Sequence, residues 1–502
     1  MKRALRAYLD RLWDGEDHAE AVLAAARACA AEPWKVVGQA GLLARCRVEH
    51  ADRLLGLDAS LRVRPAGAMG VLATVPLGAP YPVLLHPDRR RRGAYDTPVD
   101  MARRVVAAAA GACEGPLHRG LDPACGTGAF LVAMAEHRVP EIHGSDLDPL
   151  VLEVARIAVP RAQLSIADAL LHGSQADLVV GNPPFVPPER QDKELRVSLR
   201  RRFPWLRGRF DLVIPFAAVA VERCRYLGGV GLVLPAPAMV QPYGAVLRRR
   251  WLQRHLVTDL SGPHPFPGAS VEVMLLVMRS GDGPAPMPPF GMTSEELSRL
   301  ENVPFNPTLR PGDVGLVDEI RQRSLRLGEL CLVDTGVVAH SPGRSREDLL
   351  HDAPGPDRVP YADAREFFQG RHRWLEYRPD RMHRAKRPEM FEHPKIVVQR
   401  IRGKGSVKAA IDREGIYLGH TCTVVCPRAP ERVPLDRLRD LILSPLVDAV
   451  TRIERGQRMD LYPRDVAAFP VPCSWLEDPD VPLVEAWGLG EEQVERLMGV
   501  VA

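Results

Sequence analysis

The sequence has few of the features that mark membrane, secreted or disulfide-linked proteins. Its 502 residues include nine cysteines, which are scattered without the spacing of a disulfide framework. No apolar run is long enough to cross a bilayer, and the first residues lack the apolar core of an export signal. We therefore expect a cytoplasmic chain that does not associate with membranes.

Metal-site and repeat patterns are also missing from the sequence. Cys422 and Cys426 are the closest pair of cysteines, but no second pair and no histidine cluster accompanies them, so we expect no metal. The net charge of +4 does not by itself indicate nucleic acid. Basic residues do cluster at 89–92, 200–202, 248–250 and 371–408, although any one such cluster is usually a solvated face.

A glycine-rich turn joins a short predicted strand to a helix within residues 121–130. Gly126 and Gly128 let the backbone approach a ligand closely, and Ala124 and Cys125 lie in the same turn. The turn begins with an acid, Asp122, which would face a cationic or hydroxyl-bearing ligand. This acid disfavours a dinucleotide and fits S-adenosylmethionine, which carries an ammonium group.

Polar side chains also follow the next three predicted strands. Asp146 comes 24 residues after Asp122, near the position where Rossmann-like sheets place a carboxylate against ribose hydroxyls. The following strands end at Asp168, which could accept from an adenine amine, and at Asn182. Each aspartate alone could be a helix N-cap. Four polar groups in register at the ends of successive strands favour an α/β fold with a cofactor site.

The stretch Asn182-Pro183-Pro184-Phe185 ends the last of these strands. Its prolines fix φ near −65° and remove two backbone donors, so the loop is stiff. The asparagine offers a carbonyl acceptor and an amide donor, and the phenylalanine offers a ring for a flat group. The simpler alternative is a proline-rich turn, but the preceding acids favour a ligand-binding loop. Further along, Phe216 is placed where a ring could cover the cofactor, and Phe266 lies in a rigid loop.

As a set, these motifs resemble the DNA adenine-N6 methyltransferases of the gamma arrangement, the TaqI-like enzymes of bacterial restriction–modification systems. The resemblance covers roughly residues 90–475 and is weaker towards the C-terminus. It implies a Rossmann-like class I S-adenosylmethionine-dependent methyltransferase sheet, preceded by a helical N-terminal arm. A C-terminal mixed α+β target-recognition domain would follow the catalytic loop.

The resemblance also implies roles for single residues. The cofactor-binding positions would be Thr97, Asp122, Ala124, Cys125, Gly126, Gly128, Asp146, Leu147, Asp168, Pro184 and Phe216. Asn182 and the Pro183 carbonyl would accept hydrogen bonds from the target adenine amine, with Pro184 completing the catalytic loop. Phe185 would stack on the flipped base and Phe266 on its other face or edge. One departure is Ala169, which follows Asp168 where some members carry a ring.

The domain organisation follows from the same comparison and from a Gly/Pro-rich boundary at 281–289. We predict a helical N-terminal region (1–85), the methyltransferase catalytic domain (86–282), a linker (283–310), the target-recognition domain (311–475) and a helical tail (476–502). Near the end of the chain, helical stretches are expected over 435–454 and 491–500.

The expected function is site-specific N6-adenine methylation of double-stranded DNA by a monomer that associates with the nucleoid when bound. The cognate restriction endonuclease would be encoded separately. Two alternatives stay open on the sequence: an RNA or protein-glutamine N-methyltransferase that uses the same loop, and a DNA specificity subunit without catalysis.

Overall fold

The computed structural model describes residues 97–502, except 172, 267–271, 282–291, 301, 341–344, 402–404, 432, 457–459, 479 and 502. The predicted N-terminal region, 1–85, lies outside the described residues. The chain divides into two compact units, the first ending at Pro307 and the second beginning at Thr308. In the part of the chain that the structure describes, no helix has the length and apolar character needed to cross a membrane.

The first unit is built on a seven-stranded sheet with the strand order β3-β2-β1-β4-β5-β7-β6. Its strands are β1 (Arg119–Asp122), β2 (Glu141–Asp146), β3 (Gln163–Ile166), β4 (Ala176–Gly181), β5 (Cys224–Pro235), β6 (His255–His264) and β7 (Val273–Ser280). Its helices are α1 (Val99–Ala112), α2 (Ala129–Glu136), α3 (Pro149–Ala158), α4 (Lys193–Arg202), α5 (Val213–Glu222), α6 (Ala236–Val240), α7 (Ala245–Arg254) and α8 (Ser294–Arg299). Strands β1 to β5 pair in parallel, whereas β7 is antiparallel to both β5 and β6.

Helix α1 packs closely on the sheet because β5 contains glycine where the two elements meet. The helix places small and β-branched side chains at helical spacing on its buried face, among them Ala102, Val105 and Ala109. A Cβ atom at Gly229 would lie 1.9 Å from the Ala109 carbonyl oxygen, and one at Gly231 would lie 2.6 Å from the Val105 side chain. Glycine is therefore required there for the backbone of the strand to meet the helix.

The carboxyl ends of the parallel strands lie at one edge of the sheet, where open α/β sheets bind ligands. β1 lies between β2 and β4, so the groups that end these three strands are neighbours. Gly181 at the end of β4 is one result of this proximity, because a Cβ atom there would lie 2.9 Å from Oδ1 of Asp122. The end of β1 and the start of the predicted catalytic loop are thus in direct contact.

The second unit contains two four-stranded sheets, with orders β10-β12-β11-β15 and β14-β13-β16-β9, and a two-stranded pair, β17-β8. Its strands are β8 (Ser324–Arg326), β9 (Cys331–Thr335), β10 (Leu350–His351), β11 (Arg358–Ala362), β12 (Arg373–Glu376), β13 (Lys395–Gln399), β14 (Ala409–Asp412), β15 (Tyr417–Leu418), β16 (Cys422–Pro427) and β17 (Pro470–Pro472). Its helices are α9 (Asp313–Gln322), α10 (Leu327–Leu330), α11 (Ala364–Phe367), α12 (Glu389–Glu392), α13 (Leu435–Leu443), α14 (Pro445–Arg455), α15 (Pro463–Ala467), α16 (Cys473–Glu477), α17 (Leu483–Trp487) and α18 (Glu491–Val501). Tyr361, Phe391 and Tyr417 lie in its core, where the rings of Phe391 and Tyr417 stack with centroids 4.7 Å apart.

The structure bears on two predictions, the C-terminal helical stretch at 435–454 and the linker at 283–310. The helical stretch predicted over 435–454 is present as two helices, α13 and α14, because Pro445 begins a new helix after Ser444. The predicted linker, 283–310, lies partly outside the described residues. Within its described part, Phe305 is buried against Trp251 of the first unit, with ring centroids 6.2 Å apart. The domain boundaries stay predictions.

Candidate active site

A cavity of about 390 Å³ opens at the carboxyl edge of the seven-stranded sheet. Eleven of the predicted site residues line it: Thr97, Asp122, Ala124, Cys125, Gly126, Asp146, Leu147, Asp168, Asn182, Pro184 and Phe216. They come from the end of four strands, from the segment before α1 and from α5. The wall also contains Pro123, Thr127, Ala129, Phe130, Asp148, Ala167, Ala169, Leu170, Val186, Arg190, Gln191, Asp192, Leu195 and Leu212.

Asp122 is the most deeply buried acid of the cavity, with 1% of its surface exposed. The pKa of Asp122 is raised to about 8, mainly by burial and in smaller part by the charge of Asp146, while the hydrogen bond that the Ala124 N–H donates to it acts in the opposite direction. A cation placed in the cavity would favour the ionised form of Asp122. The Cys125 thiol beside it is also buried, and burial raises its pKa well above the usual range, so this thiol stays protonated.

The three acids at the strand ends also fix their own loops. One oxygen of Asp122 accepts from the Ala124 N–H at 3.0 Å, and one oxygen of Asp168 accepts from the Leu170 N–H at 2.8 Å. Asp146 accepts at 3.0 Å from the N–H of Gly126, across the cavity wall, and at 3.0 Å from that of Asp148. Capping and ligand binding therefore do not exclude each other here, because each carboxylate has about four lone-pair sites.

The predicted catalytic loop begins in the cavity and ends beside it. Asn182 and Pro184 line the cavity, whereas Pro183 is buried and Phe185 is half-buried outside the wall. The ring of Phe185 meets that of Phe266, with centroids 6.4 Å apart and planes at 57°. The structure thus brings together the two rings that were predicted to contact one base, although they are 81 positions apart in the sequence.

Two side chains, the half-buried Asp211 and the buried Gln191, hold the residue that follows the catalytic loop. Oδ1 of Asp211 accepts from the N–H of Val186 at 3.1 Å and from that of Val213 at 3.0 Å, so it joins the loop to the start of α5. The Gln191 side-chain amide donates to the carbonyls of Val186 and Phe210, each at 2.8 Å. Both main-chain groups of Val186, its N–H and its carbonyl, are thereby held by hydrogen bonds.

Sequence reasoning missed the contribution of the segment at 190–195. Arg190, Gln191, Asp192 and Leu195 line the cavity, but the sequence presents them only as part of a basic stretch. Gln191 is 6% exposed although charged residues precede and follow it, and composition gives no sign of this burial. The one available signal was their position just after the catalytic loop.

Gly128 is the one predicted cofactor residue that does not line the cavity. It precedes α2 with φ of 96°, a conformation that favours glycine, and a Cβ atom there would lie 3.2 Å from Ala155 of α3. Glycine at this position allows the tight turn before α2 and the close packing of that turn against α3. A direct contact between Gly128 and the cofactor stays a prediction. Among the residues that the structure describes, no group of three or more His, Cys, Asp or Glu side chains could hold a metal ion.

The strand order and the cavity at its carboxyl edge define the fold of class I S-adenosylmethionine-dependent methyltransferases. Over its full length the chain resembles the solved type IIL restriction–modification enzyme MmeI in complex with DNA, with a TM-score of 0.57, 11% identity and 95% of that structure covered. At this identity the likeness establishes the fold. The predicted fold class is therefore confirmed.

Two curated proteins are similar in sequence over part of the chain. The type II methyltransferase M.BstVI of Geobacillus stearothermophilus is 33% identical over 94 residues, and the adenine-specific methyltransferase PglX of Streptomyces coelicolor is 26% identical over 159 residues. These matches cover 18% and 29% of this chain, but 17% and 13% of the two relatives, so the shared region is a small part of each. No family model matches the chain. The predicted resemblance to methyltransferases of restriction–modification systems is confirmed by these relatives.

Proposed function

We propose that the chain is an S-adenosylmethionine-dependent DNA methyltransferase of the restriction–modification type, which methylates N6 of an adenine flipped out of double-stranded DNA. The observation that carries the proposal is the position of Asn182-Pro183-Pro184-Phe185. Its first residue lines a cavity with three acids at strand ends, and its last residue lies against a second aromatic ring. The cofactor and the base would thus meet at one loop.

The cavity fits S-adenosylmethionine in size and in chemistry. Its volume of about 390 Å³ lies within the range of small-molecule sites. Asp122, Asp146 and Asp168 offer carboxylates to the ammonium, hydroxyl and amine donors of the cofactor, and Leu147 and Phe216 offer apolar surface for a flat ring. When bound, the cofactor supplies a methyl group on a sulfonium, which is already activated for transfer.

The aromatic pair beside the cavity suits a flipped base. Extrusion costs a few kcal/mol, and stacking on an aromatic side chain returns on the order of 1–3 kcal/mol per base. Phe185 is half-buried and Phe266 is 4% exposed, so both rings are already held in place by packing. Phe185 is the ring of the pair that keeps exposed surface for stacking on the base, and Phe266 packs against it at a tilt of 57°.

Asn182 and the Pro183 carbonyl would then orient the amine that is methylated. The amine lone pair is delocalised into the adenine ring, and two acceptors for its hydrogens favour a pyramidal nitrogen with an available lone pair. Asp211 and Gln191 keep the loop in position through their hydrogen bonds to Val186. Positioning supplies much of the rate in such a transfer. The proton lost by the amine leaves to water.

The test compares the wild-type chain with Asn182→Ala in a host that lacks adenine methylation. Single-molecule sequencing of genomic DNA is expected to find N6-methyladenine in one short motif with the wild type and none with the variant. The purified variant should still bind S-adenosylmethionine in calorimetry, because Asp122, Asp146 and Asp168 remain. With magnesium, the pure wild-type chain should leave unmethylated DNA uncut, since the endonuclease is proposed to be a separate protein.

Other results would assign another function. Methyl transfer to ribosomal RNA or to a protein glutamine, without transfer to duplex DNA, would refute the DNA assignment while keeping the fold and cofactor. Methylated cytosine in place of adenine would refute the choice of base. Soluble wild-type protein that binds DNA but not S-adenosylmethionine would be a specificity subunit. Gel filtration with light scattering tests the proposed monomer.

A further inference from the structure

The segment that follows the catalytic loop holds an unusual concentration of positive charge. Residues 190–209 contain eight arginines and lysines but two acids, which gives them a net charge of +6. The whole chain of 502 residues carries +4. The rest of the chain therefore sums to a slightly acidic charge, although it includes the basic region at 371–408.

The positive side chains are exposed on a well-anchored surface. Helix α4 buries one of its residues, Leu199, and the loop that follows is anchored by Phe203, Leu206 and Phe210. We call the exposed basic residues of this surface the α4 basic surface: Lys193, Arg200, Arg201, Arg202, Arg207 and Arg209. Anchoring by aromatic side chains lowers the conformational entropy that a ligand would have to remove.

Aromatic rings also hold several guanidinium groups in place. Arg202 lies over the ring of Phe203 at 5.2 Å and Arg200 over that of Phe210 at 5.8 Å. The Arg200 guanidinium also donates to the Gly208 carbonyl at 2.8 Å. An ordinary solvated charge run has no such fixed geometry. These contacts leave the outer edges of the guanidinium groups for an anion.

Acidic partners for this surface are few. Arg209 pairs with Glu189. For Arg200, Arg201, Arg202 and Arg207, no carboxylate of the described residues lies within ion-pair distance. Like charges in proximity repel one another, so an unneutralised cluster costs folding free energy. This cost in folding free energy is offset if a bound polyanion neutralises the cluster when the protein acts.

The α4 basic surface begins at the wall of the candidate active site. Arg190, Asp192 and Leu195 line the cavity. The catalytic loop is followed directly by Val186, whose carbonyl accepts a hydrogen bond from Gln191 of this segment. The ten residues of α4 span about 15 Å, and the phosphates of one DNA strand follow every ~3.4 Å of the duplex axis. We propose that the α4 basic surface binds the phosphate backbone of DNA beside the flipped base. The inference rests on the proposed function and names a DNA contact within the first unit.

The test removes two charges, Arg201 and Arg207, for which the described part of the chain provides no hydrogen bond, ion pair or ring contact. The double variant Arg201→Gln/Arg207→Gln leaves the ring and carbonyl contacts of Arg200 and Arg202 in place. The control, Arg119→Gln/Arg138→Gln, removes the same number of charges from the opposite edge of the sheet, where β1 begins and α2 has ended. Because Arg119 also pairs with Glu141, the melting temperature of the control is compared with that of the wild type. Affinity of the full chain for a short DNA duplex is measured against salt concentration with wild type, variant and control.

The slope of log affinity against log salt is the decisive quantity. Each phosphate contact contributes about −0.9, so the variant's slope should be less steep by about 1.8 if each arginine contacts one phosphate. Between 50 and 200 mM salt, the wild type should then lose about tenfold more affinity than the variant does. Affinity for S-adenosylmethionine and the melting temperature should not change, and the control should keep the wild-type slope.

Each alternative result has a distinct meaning. A variant with the wild-type slope would refute the phosphate contact even though the proposed function stands. Equal losses in variant and control would show a general charge effect and would also overturn the inference. A slope change for an RNA of the same length, with none for DNA, would assign the surface to RNA. Wild-type protein that binds S-adenosylmethionine but no DNA at all would refute the proposed function itself.

Discussion

Replacing Asp122 by asparagine should stabilise the chain at high pH while it weakens the candidate site. Asp122 is buried at the end of β1, and its pKa is raised to about 8 from an ordinary value of 3.8. Between these two values the folded chain keeps the proton of Asp122 and the unfolded chain releases it. The folded state then binds more protons, so its stability falls as the pH rises through this window. Asparagine cannot ionise and does not carry this cost.

The size of the stability change follows from the width of the pH range between the two pKa values of Asp122. Inside it, one pH unit changes the free energy of unfolding by up to ~1.4 kcal/mol. From about pH 5 to about pH 8, the advantage of Asp122→Asn over the wild type should grow by at most about 4 kcal/mol. Relaxation of the cavity and water entry reduce this figure. The Asn side chain keeps an acceptor for the Ala124 N–H, so the loop itself should persist.

Urea unfolding at several pH values measures the stability difference directly. Glu141→Gln is the matched control, because Glu141 lies at the start of β2 and a hydrogen bond from Arg119 lowers its pKa. It stays ionised across the range, so its difference from the wild type should not change with pH. A constant difference between Asp122→Asn and the wild type from pH 5 to pH 8 would refute the assignment of a raised pKa to Asp122.

Affinity for the cofactor should depend on pH in the opposite direction to the stability of the folded chain. The ammonium group of S-adenosylmethionine favours ionised Asp122, so affinity should rise with pH up to about 8 and binding near pH 7 should release a proton. Calorimetry in two buffers of different ionisation enthalpy counts that proton. Asp122→Asn should bind more weakly and release none. The same proton release from the variant would show that another group titrates.

Two further substitutions test the contacts around the catalytic loop. Gln191→Leu removes the donors to the Val186 and Phe210 carbonyls, so urea unfolding should show a loss of stability of about 2 kcal/mol. Methyl-transfer kinetics should show a larger fall in kcat than in cofactor affinity. Gly181→Ala places a Cβ atom 2.9 Å from Oδ1 of Asp122, so it should lower cofactor affinity and destabilise the chain by roughly 1–3 kcal/mol. Gly315 has open space around it, so the control Gly315→Ala should change neither cofactor affinity nor stability in this way.

The sequence was sufficient for the parts of the fold that depend on local patterns. The strand predicted before Asp168 is present at Gln163–Ile166, and the four strand-end groups Asp122, Asp146, Asp168 and Asn182 do line one cavity. Such groups are readable because parallel strands bring their carboxyl ends to one edge whatever the details of packing. The helical stretch predicted over 435–454 is present, but its division into helices at 435–443 and 445–455 was not predicted although Pro445 marks the break.

Long-range contacts were much harder to predict. The hydrogen bonds of Gln191 join residues up to 19 positions apart through a buried amide in a charged stretch, and no periodic pattern marks them. The contact between the Phe185 and Phe266 rings was expected from the family resemblance, since no local pattern links residues so distant. Similarly, the contact of Gly181 with Asp122 depends on the placement of β4 beside β1.

The order in which the chain is synthesised gives the cavity a further property. All the residues that line it lie between Thr97 and Phe216, and the seven strands of its sheet end at Ser280. The second compact unit begins at Thr308. Because domains generally fold one after another as the chain emerges from the ribosome, we expect the cavity to be complete before the second unit is translated. The nascent chain could then be loaded with its cofactor while translation continues.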